Sequence, residues 1–242
     1  MSHTIHLHDP QTLYRHWENE QWNPWKIDLA PDHEQWHGAL ADRDKELVYW
    51  ALSSLMVAEE RITTKFAWLV MAADTEEEAS FLASQQVDEA RHMQFYARFQ
   101  DEVIAEPGTI GAHVARSREQ LWPSFAVIFD EALVEAHHRL VGDPSDRGAK
   151  VDFVTTYHLV IEATLGLTAF EFITRYLNNN QLLIAAEALP TAVSGFVDGY
   201  SHIHHDEQRH IGYGVWFLRE AAAHHDAMAE RTRAKLAELL PP

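Results

Sequence analysis

Apolar residues recur at helical spacing along nearly the whole chain, and alternation at period two is almost absent. The clearest run is Leu52, Leu55, Met56, Ile62, Phe66 and Leu69, which forms one stripe of a long helix. Asp42 precedes it as a cap, predicting a helix over 43–73. Upstream, Asp9 followed by Pro10 reads as the N-cap and first turn of a short helix reaching about Gln21, and "QWNPWKIDLAPD" as an aromatic, proline-marked connection. Downstream, Thr75 and Glu78 form a capping box that opens a helix running to "EPG" at 106–108. Further helices are predicted over about 112–140, stopped by "GDPSDRG", and over about 150–177, stopped by "NNN". A last long one starts near Pro190 and extends past His210, with Gly195 and Gly199 weakening its first part. A short polar tail follows, and "AMAERTRAKLAELLPP" within it reads as a short amphipathic helix. No linker divides the chain. The pattern predicts an all-α bundle of long helices, one domain over 1–242 with an N-terminal extension of about 1–41 and a C-terminal tail of about 225–242.

Composition narrows the function. A chain of 242 residues that is 46% hydrophobic can bury a substantial core. A formal net charge of −18 argues against nucleic acid and anionic membrane as partners. Cysteine is absent, which excludes disulfides, thiolate catalysis and zinc-thiolate sites. The N-terminus lacks a basic region followed by an apolar run, and no charge-free apolar stretch of about 18 residues occurs. The expectation is a soluble cytoplasmic protein with no membrane span.

The candidate chemistry lies in a repeated motif. "DEARH" at 88–92 and "DEQRH" at 206–210 share Asp-Glu-x-Arg-His, and each falls inside a predicted helix. Glu at i and His at i+3 project from one helix face a turn apart, so both reach one cation. One Glu-x-x-His arises easily by chance; two on separate long helices, with the same flanking acid and arginine, point to a site for two metals. Such a site needs one further carboxylate from each of two other helices. Glu59 continues the inward stripe of the 43–73 helix, whereas Glu60, about 100° away on a helix, falls beside Arg61 and Thr64. On the fifth helix Glu162 shares a face with Leu159, Leu165, Gly166, Ala169 and Ile173, and Glu171 aligns with Thr164, Thr168, Thr174 and Arg175. The choice is therefore Glu59 and Glu162. Two divalent cations balance four carboxylates that would be costly to bury unpaired, and two imidazoles complete an oxygen-rich set suited to iron or manganese. Asp88 and Asp206 would orient the two histidines, with Arg91 and Arg209 paired to those acids. Glu135 and His138, in the fourth helix, repeat Glu-x-x-His without the flanking context and do not read as a metal pair. His202, His204 and His205 read as partly exposed, the N-terminal His3, His6 and His8 as without function, and Trp22, Trp25 and Trp36 as packing residues.

With these residues in hand, the chain resembles the ferritin-like superfamily of dinuclear metal carboxylate proteins, within it the ribonucleotide reductase small-subunit group, and nearest its ligand-binding oxidases. The segments that carry the likeness are "AEERITTKF", "VDEARHMQFYARF", "YHLVIEATL", "DEQRHIGYGVW" and the entry segment "QWNPWKIDLAPD". The resemblance implies that Glu59, Glu89, His92, Glu162, Glu207 and His210 hold an Fe/Fe or Mn/Fe pair. The first ligand is glutamate, as in the oxidases, where most reductases use aspartate. Tyr157 and Ile62 match the positions that the oxidases join by a tyrosine–aliphatic ether, although valine is the usual partner; the competing reading is a buried tyrosine that hydrogen-bonds near the cluster. Tyr96 sits where reductases keep a radical tyrosine. The interval between Glu162 and Glu207 is longer than usual for the group. The implied function is an oxidase or oxygenase that activates O₂ and acts on an apolar small molecule or on its own side chains, as a homodimer. Two alternatives stand beside it. One is a reductase radical-generating subunit, favoured by Tyr96 but disfavoured by the lack of any tyrosine after Tyr213; the other is a non-enzymatic metal-binding or iron-storage bundle.

Overall fold

The computed structural model describes residues 7–178 and 193–240, and every regular element among them is helical. The architecture is the all-α bundle expected. Asp9 caps α1 (Pro10–Asn19) by accepting the Thr12 amide. The "QWNPWKIDLAPD" segment is more than a connection: after a 3₁₀ turn at Pro24–Lys26 it opens α2 (Ala30–Gly38), with its proline in the first turn. The capping box also forms, since Thr75 accepts the Glu78 amide at the start of α5 (Glu76–Glu102).

Three predicted helices differ in their limits or continuity. The 43–73 helix is α3 (Asp42–Lys65) and a short α4 (Ala67–Met71); Asp42 lies inside the first turn, and the cap residue is Ala41. The 112–140 helix breaks before Pro123, which lacks an amide hydrogen and so starts a helix afresh. The result is α6 (Ile110–Arg118), α7 (Pro123–Ala126), a π-helical stretch at Val127–Ala132 and α8 (Leu133–Gly142). The 150–177 helix begins earlier, where the Asp146 carboxylate accepts the Gly148 and Ala149 amides. It runs as α9 (Arg147–Val154), a π-helical stretch at Thr155–Gly166 and α10 (Leu167–Asn178). Of the last long helix, the expected start near Pro190 lies outside the described residues, and α11 spans Ser194–His224. The tail forms α12 (Asp226–Leu239), held to α9 by Arg231, whose Nε lies 2.6 Å from Asp152 Oδ1.

Four long elements carry the centre: α3, α5, the helix running through the second π stretch, and α11. Here α3 packs on α5, and α11 packs on the π stretch. Two of the glycine contacts on α11 bring it close to the other central helices. A Cβ at Gly199 would lie 2.2 Å from the Phe95 ring, and one at Gly214 would lie 2.3 Å from His158 Cβ. So Gly199, which the sequence marks as a weakness, is what lets α11 approach α5. Asp32 on α2 caps α11 from outside, accepting the Gly195 and Phe196 amides at 2.8 and 2.7 Å, and burial pushes its carboxyl up to about 6. The helical run Arg147–Thr174 is long and apolar enough to cross a membrane by composition. Half of its most apolar window is buried against the other helices, and it carries buried Lys150, Asp152 and Glu162.

Candidate metal centre

Six side chains from the four long elements converge at mid-bundle: Glu59 from α3, Glu89 and His92 from α5, Glu162 from the π stretch, and Glu207 and His210 from α11. Five are buried and Glu207 is partly so. They divide into two groups, Glu59–Glu89–His92–Glu207 and Glu89–Glu162–His210, in each of which one candidate ligand atom per residue lies within 4.8 Å of the others. Glu89 is common to both. His92 Nδ1 is 3.4 Å from Glu59 Oε1 and 3.6 Å from Glu89 Oε2 and Glu207 Oε1. His210 Nδ1 is 3.3 Å from Glu89 Oε1 and 3.4 Å from Glu162 Oε1 and Glu207 Oε2.

The other ring nitrogens point outward and cross between motifs. His92 Nε2 meets Asp206 Oδ2 at 3.1 Å, and His210 Nε2 meets Asp88 Oδ2 at 3.2 Å. Each acid is itself held from two sides. Arg91 binds Asp88 at 2.6 Å, and Arg209 binds Asp206 and also reaches Asp88 at 3.4 Å. Trp17 Nε1 donates to Asp88 at 2.9 Å, and Trp22 Nε1 donates to Asp206 at 2.7 Å. With Nε2 fixed as the donor to a carboxylate, each Nδ1 is left as the inward lone pair that a metal requires.

The inner atoms fit cations. Glu59 Oε2, Glu162 Oε2, Glu207 Oε2, His92 Nδ1 and His210 Nδ1 are all buried with no hydrogen-bond partner, a set of polar atoms that would be expensive to bury without an occupant. Burial pushes the Glu59 and Glu162 carboxyls well above the ordinary carboxylate range. It acts on Glu89 in the same sense, but the His210 and His92 charges override it and bring that carboxyl to about 2. Burial disfavours the charged form of both imidazoles too, yet Glu59 at His92 and Glu89 at His210 hold them high. Without metal the site therefore retains protons that two cations would displace. Oxygen-rich ligation with one nitrogen per position suits iron or manganese.

The residues set aside in the sequence lie elsewhere. Glu60 is half-buried, 3.4 Å from Arg118 on α6. Glu171, Glu135 and His138 are exposed. Leu165, Gly166 and Ala169, assigned to the inward face with Glu162, line one cavity with it, although Leu165 is 40% exposed. Trp36 is buried as expected, but Trp25 is 62% exposed and packs little, and Trp22 bonds Asp206 and stacks on His202. His202 and His205 are exposed, and His205 reaches Glu20 at 3.2 Å.

Tyr157 and Ile62 are both buried and line one cavity beside the cluster. The Tyr157 hydroxyl donates to Glu89 Oε1 at 2.5 Å. Tyr96 is also fully buried, with no partner for its hydroxyl; burial raises its pKa well above the ordinary phenol value, and Tyr200, Glu59 and Glu207 add to this. The cavity has a volume of about 430 Å³, and its wall is almost wholly apolar, with Leu55, Ile128, Phe125, Phe170 and Ile203 among the lining residues and the glutamates at one side. Three groups escaped sequence reasoning: Trp17, Trp22 as a donor to Asp206, and Gln85, a buried amide beside Glu162. Gln85 lies one turn before Glu89 on the same face, which was the available signal.

The ribonucleotide reductase, small chain, family matches residues 2–120, a span that holds Glu59, Glu89 and His92 but not the second motif. Solved structures match nearly the whole chain. An R2-like ligand-binding oxidase with aerobically reconstituted Mn/Fe cofactor is 23% identical, with a TM-score of 0.82 over 97% of this chain and 76% of that one. A tyrosine-to-phenylalanine variant of an R2-like ligand-binding oxidase, likewise reconstituted, is 24% identical with a TM-score of 0.81, over 97% of this chain and 77% of that one. A valine-to-leucine variant reconstituted anaerobically gives 23% and 0.82, over 97% and 80%. The chain thus has the all-α fold of the R2-like ligand-binding oxidases, with a Glu/His cluster that could hold two metals at its centre, and over residues 2–120 it matches the ribonucleotide reductase small chain family.

Proposed function

We propose that this protein is an O₂-activating dinuclear metal oxidase whose Mn/Fe or Fe/Fe pair is held by Glu59, Glu89, His92, Glu162, Glu207 and His210, and whose substrate is an apolar small molecule or a side chain of its own. The observation that carries the reading is the set of five buried, partnerless ligand atoms in two groups sharing Glu89, beside an apolar cavity. The resemblance to Mn/Fe oxidases supports the choice of metals. When bound, the pair would supply the reduction of O₂ and the oxidising power for hydrogen abstraction. The rest is work for the protein. Glu89, common to both groups, would serve both positions, Asp206 and Asp88 fix the imidazole tautomers, and the apolar wall excludes water from the reacting side. Tyr157 donates its hydroxyl hydrogen bond to Glu89, next to where oxidation would occur.

The test is aerobic loading with Mn(II) and Fe(II), followed by elemental analysis and measurement of O₂ uptake. Two metals per chain and O₂ consumption tied to them are expected; a chain that binds neither pair overturns the reading.

One observation favours a second reading, a radical-generating subunit: the buried, unpartnered Tyr96 hydroxyl near Glu59 and Glu207. Aerobic loading would then give a sharp tyrosyl absorption and paramagnetic signal that Tyr96→Phe removes. We expect no such long-lived signal.

A further inference from the structure

The Gln85 side chain is 1% exposed and lies in a fixed chain of hydrogen bonds behind the candidate centre. Its Nε2 is 3.1 Å from Glu162 Oε1 and 3.3 Å from the Tyr157 hydroxyl, and its Oε1 is 3.3 Å from His158 Nε2. The directions are determined by chemistry. Ionised, as a bound cation requires it to be, Glu162 only accepts, so the amide nitrogen faces it, which leaves the amide oxygen toward His158 and requires the hydrogen of that imidazole on Nε2. Tyr157 accepts from Gln85 and passes its own hydrogen to Glu89 Oε1. His158 cannot swing away, because α11 approaches it so closely at Gly214 that a Cβ there would lie 2.3 Å from His158 Cβ. Phe66 stands edge-on to both the Tyr157 and His158 rings.

The consequence falls on one of the two groups. Glu162 Oε1 is engaged by Gln85, and Glu162 Oε2 is buried without a partner. The Gln85 amide nitrogen reaches Glu162 and Tyr157 and not Glu59, whose group is oriented from the other side, through His92 and Asp206.

We propose that Gln85 is the positioning residue for the Glu89–Glu162–His210 group: its amide holds one Glu162 oxygen and the Tyr157 phenol, so that the other Glu162 oxygen is presented to a cation. The inference rests on the two-metal reading above. It assigns to the amide a role in one metal position and none in the other, an asymmetry that a merely structural amide would not produce.

Gln85→Met keeps the length and shape and removes both donors. Metal-stripped full-length protein is titrated with Mn(II) by calorimetry, with metal content measured after gel filtration. In Gln85→Met one binding step weakens about ten-fold or more, the usual consequence of removing a group that orients a ligand, and the other is unchanged. The step lost is the one lost in Glu162→Ala, and adding Glu162→Ala to Gln85→Met costs little further, whereas adding Glu59→Ala removes the surviving step. Gln85→Leu gives the same measurement should Gln85→Met not fold. Wild-type protein that takes up two Mn(II), with a Gln85→Met isotherm identical to it or weakened equally at both steps, overturns the inference and leaves the two-metal reading standing. Wild-type protein that takes up fewer than two overturns the reading beneath it.

Discussion

His92 and Asp206 belong to different copies of the Asp-Glu-x-Arg-His motif, and they are hydrogen-bonded across the bundle at 3.1 Å, an exchange that His210 and Asp88 return at 3.2 Å. Each motif thus supplies a Glu and a His to the centre and an acid to the other motif's histidine. Neither helix can be set correctly without its partner, which explains why the flanking Asp and Arg recur with the ligands in both copies.

The first prediction follows. Asp206→Asn keeps the shape and leaves an acceptor for Trp22, but it removes the charge that fixes the His92 tautomer. It also leaves Arg209 with less compensation. Affinity at the Glu59–Glu89–His92–Glu207 position should fall about 10- to 100-fold, measured by competition against a metal indicator. Unchanged affinity would show that the crossed pair only packs.

Glu89 is common to both groups, and Glu162 belongs to one. Glu89→Ala should therefore abolish loading at both positions, and Glu162→Ala should leave one metal per chain. The Glu162→Ala fold should survive, because burial drives that carboxyl toward the protonated form in the absence of cations; Glu89→Ala is checked for helicity before loading, because His210 and His92 hold the Glu89 carboxylate ionised. Elemental analysis of the two variants checks the difference; two metals retained in Glu89→Ala would remove the shared bridge from the site.

How much of this was legible in the chain depended on the kind of signal. The paired motifs, the inward choice of Glu59 over Glu60 and the long helices come from local spacing, which helices obey. The crossing of Asp206 to His92 does not, since nothing in a linear motif says which histidine an acid will meet. Trp17 reaches Asp88 only because α1 lies along α5, a packing decision invisible in a ten-residue helix. Gln85 was passed over because an amide in an apolar helix reads as an exposed polar residue until its buried partners are known.

A pH dependence attaches to His158. Burial, reinforced by the nearby His210 charge, brings its pKa down to about 3, so the imidazole is neutral in the fold at every ordinary pH. In the unfolded chain a histidine takes a proton near pH 6.5. Between those values the unfolded state binds more protons, and stability falls as pH falls. Against His158→Gln, which cannot titrate, the wild type should lose about 2 kcal/mol between pH 7 and pH 5. Denaturant midpoints of both proteins at the two pH values give the difference directly, and parallel curves would show that His158 titrates normally.

The last prediction concerns Tyr157 and Ile62. Ile62 lies one turn after Glu59 on the inward face of α3, and Tyr157 lies in the π stretch five positions before Glu162; both border the same cavity. The phenol hydrogen is already directed at Glu89 Oε1, a carboxylate able to receive it. The Ile62 β-carbon carries one tertiary hydrogen, as valine would. Joining the Tyr157 oxygen to that carbon removes the phenolic and the β-hydrogen together, and O₂ is the oxidant that takes up both electrons and both protons. Intact mass after aerobic Fe(II) loading should then fall by two hydrogens relative to anaerobic protein, and a tryptic digest should contain the Ile62 and Tyr157 peptides as one species. Tyr157→Phe should abolish the change while still loading metal, since Tyr157 is not among the six candidate ligands. Recovery of both peptides separate and unmodified from protein that consumes O₂ would mean that Tyr157 serves only as a hydrogen-bond donor to Glu89, and the oxidising equivalents would then have to leave the centre through the substrate.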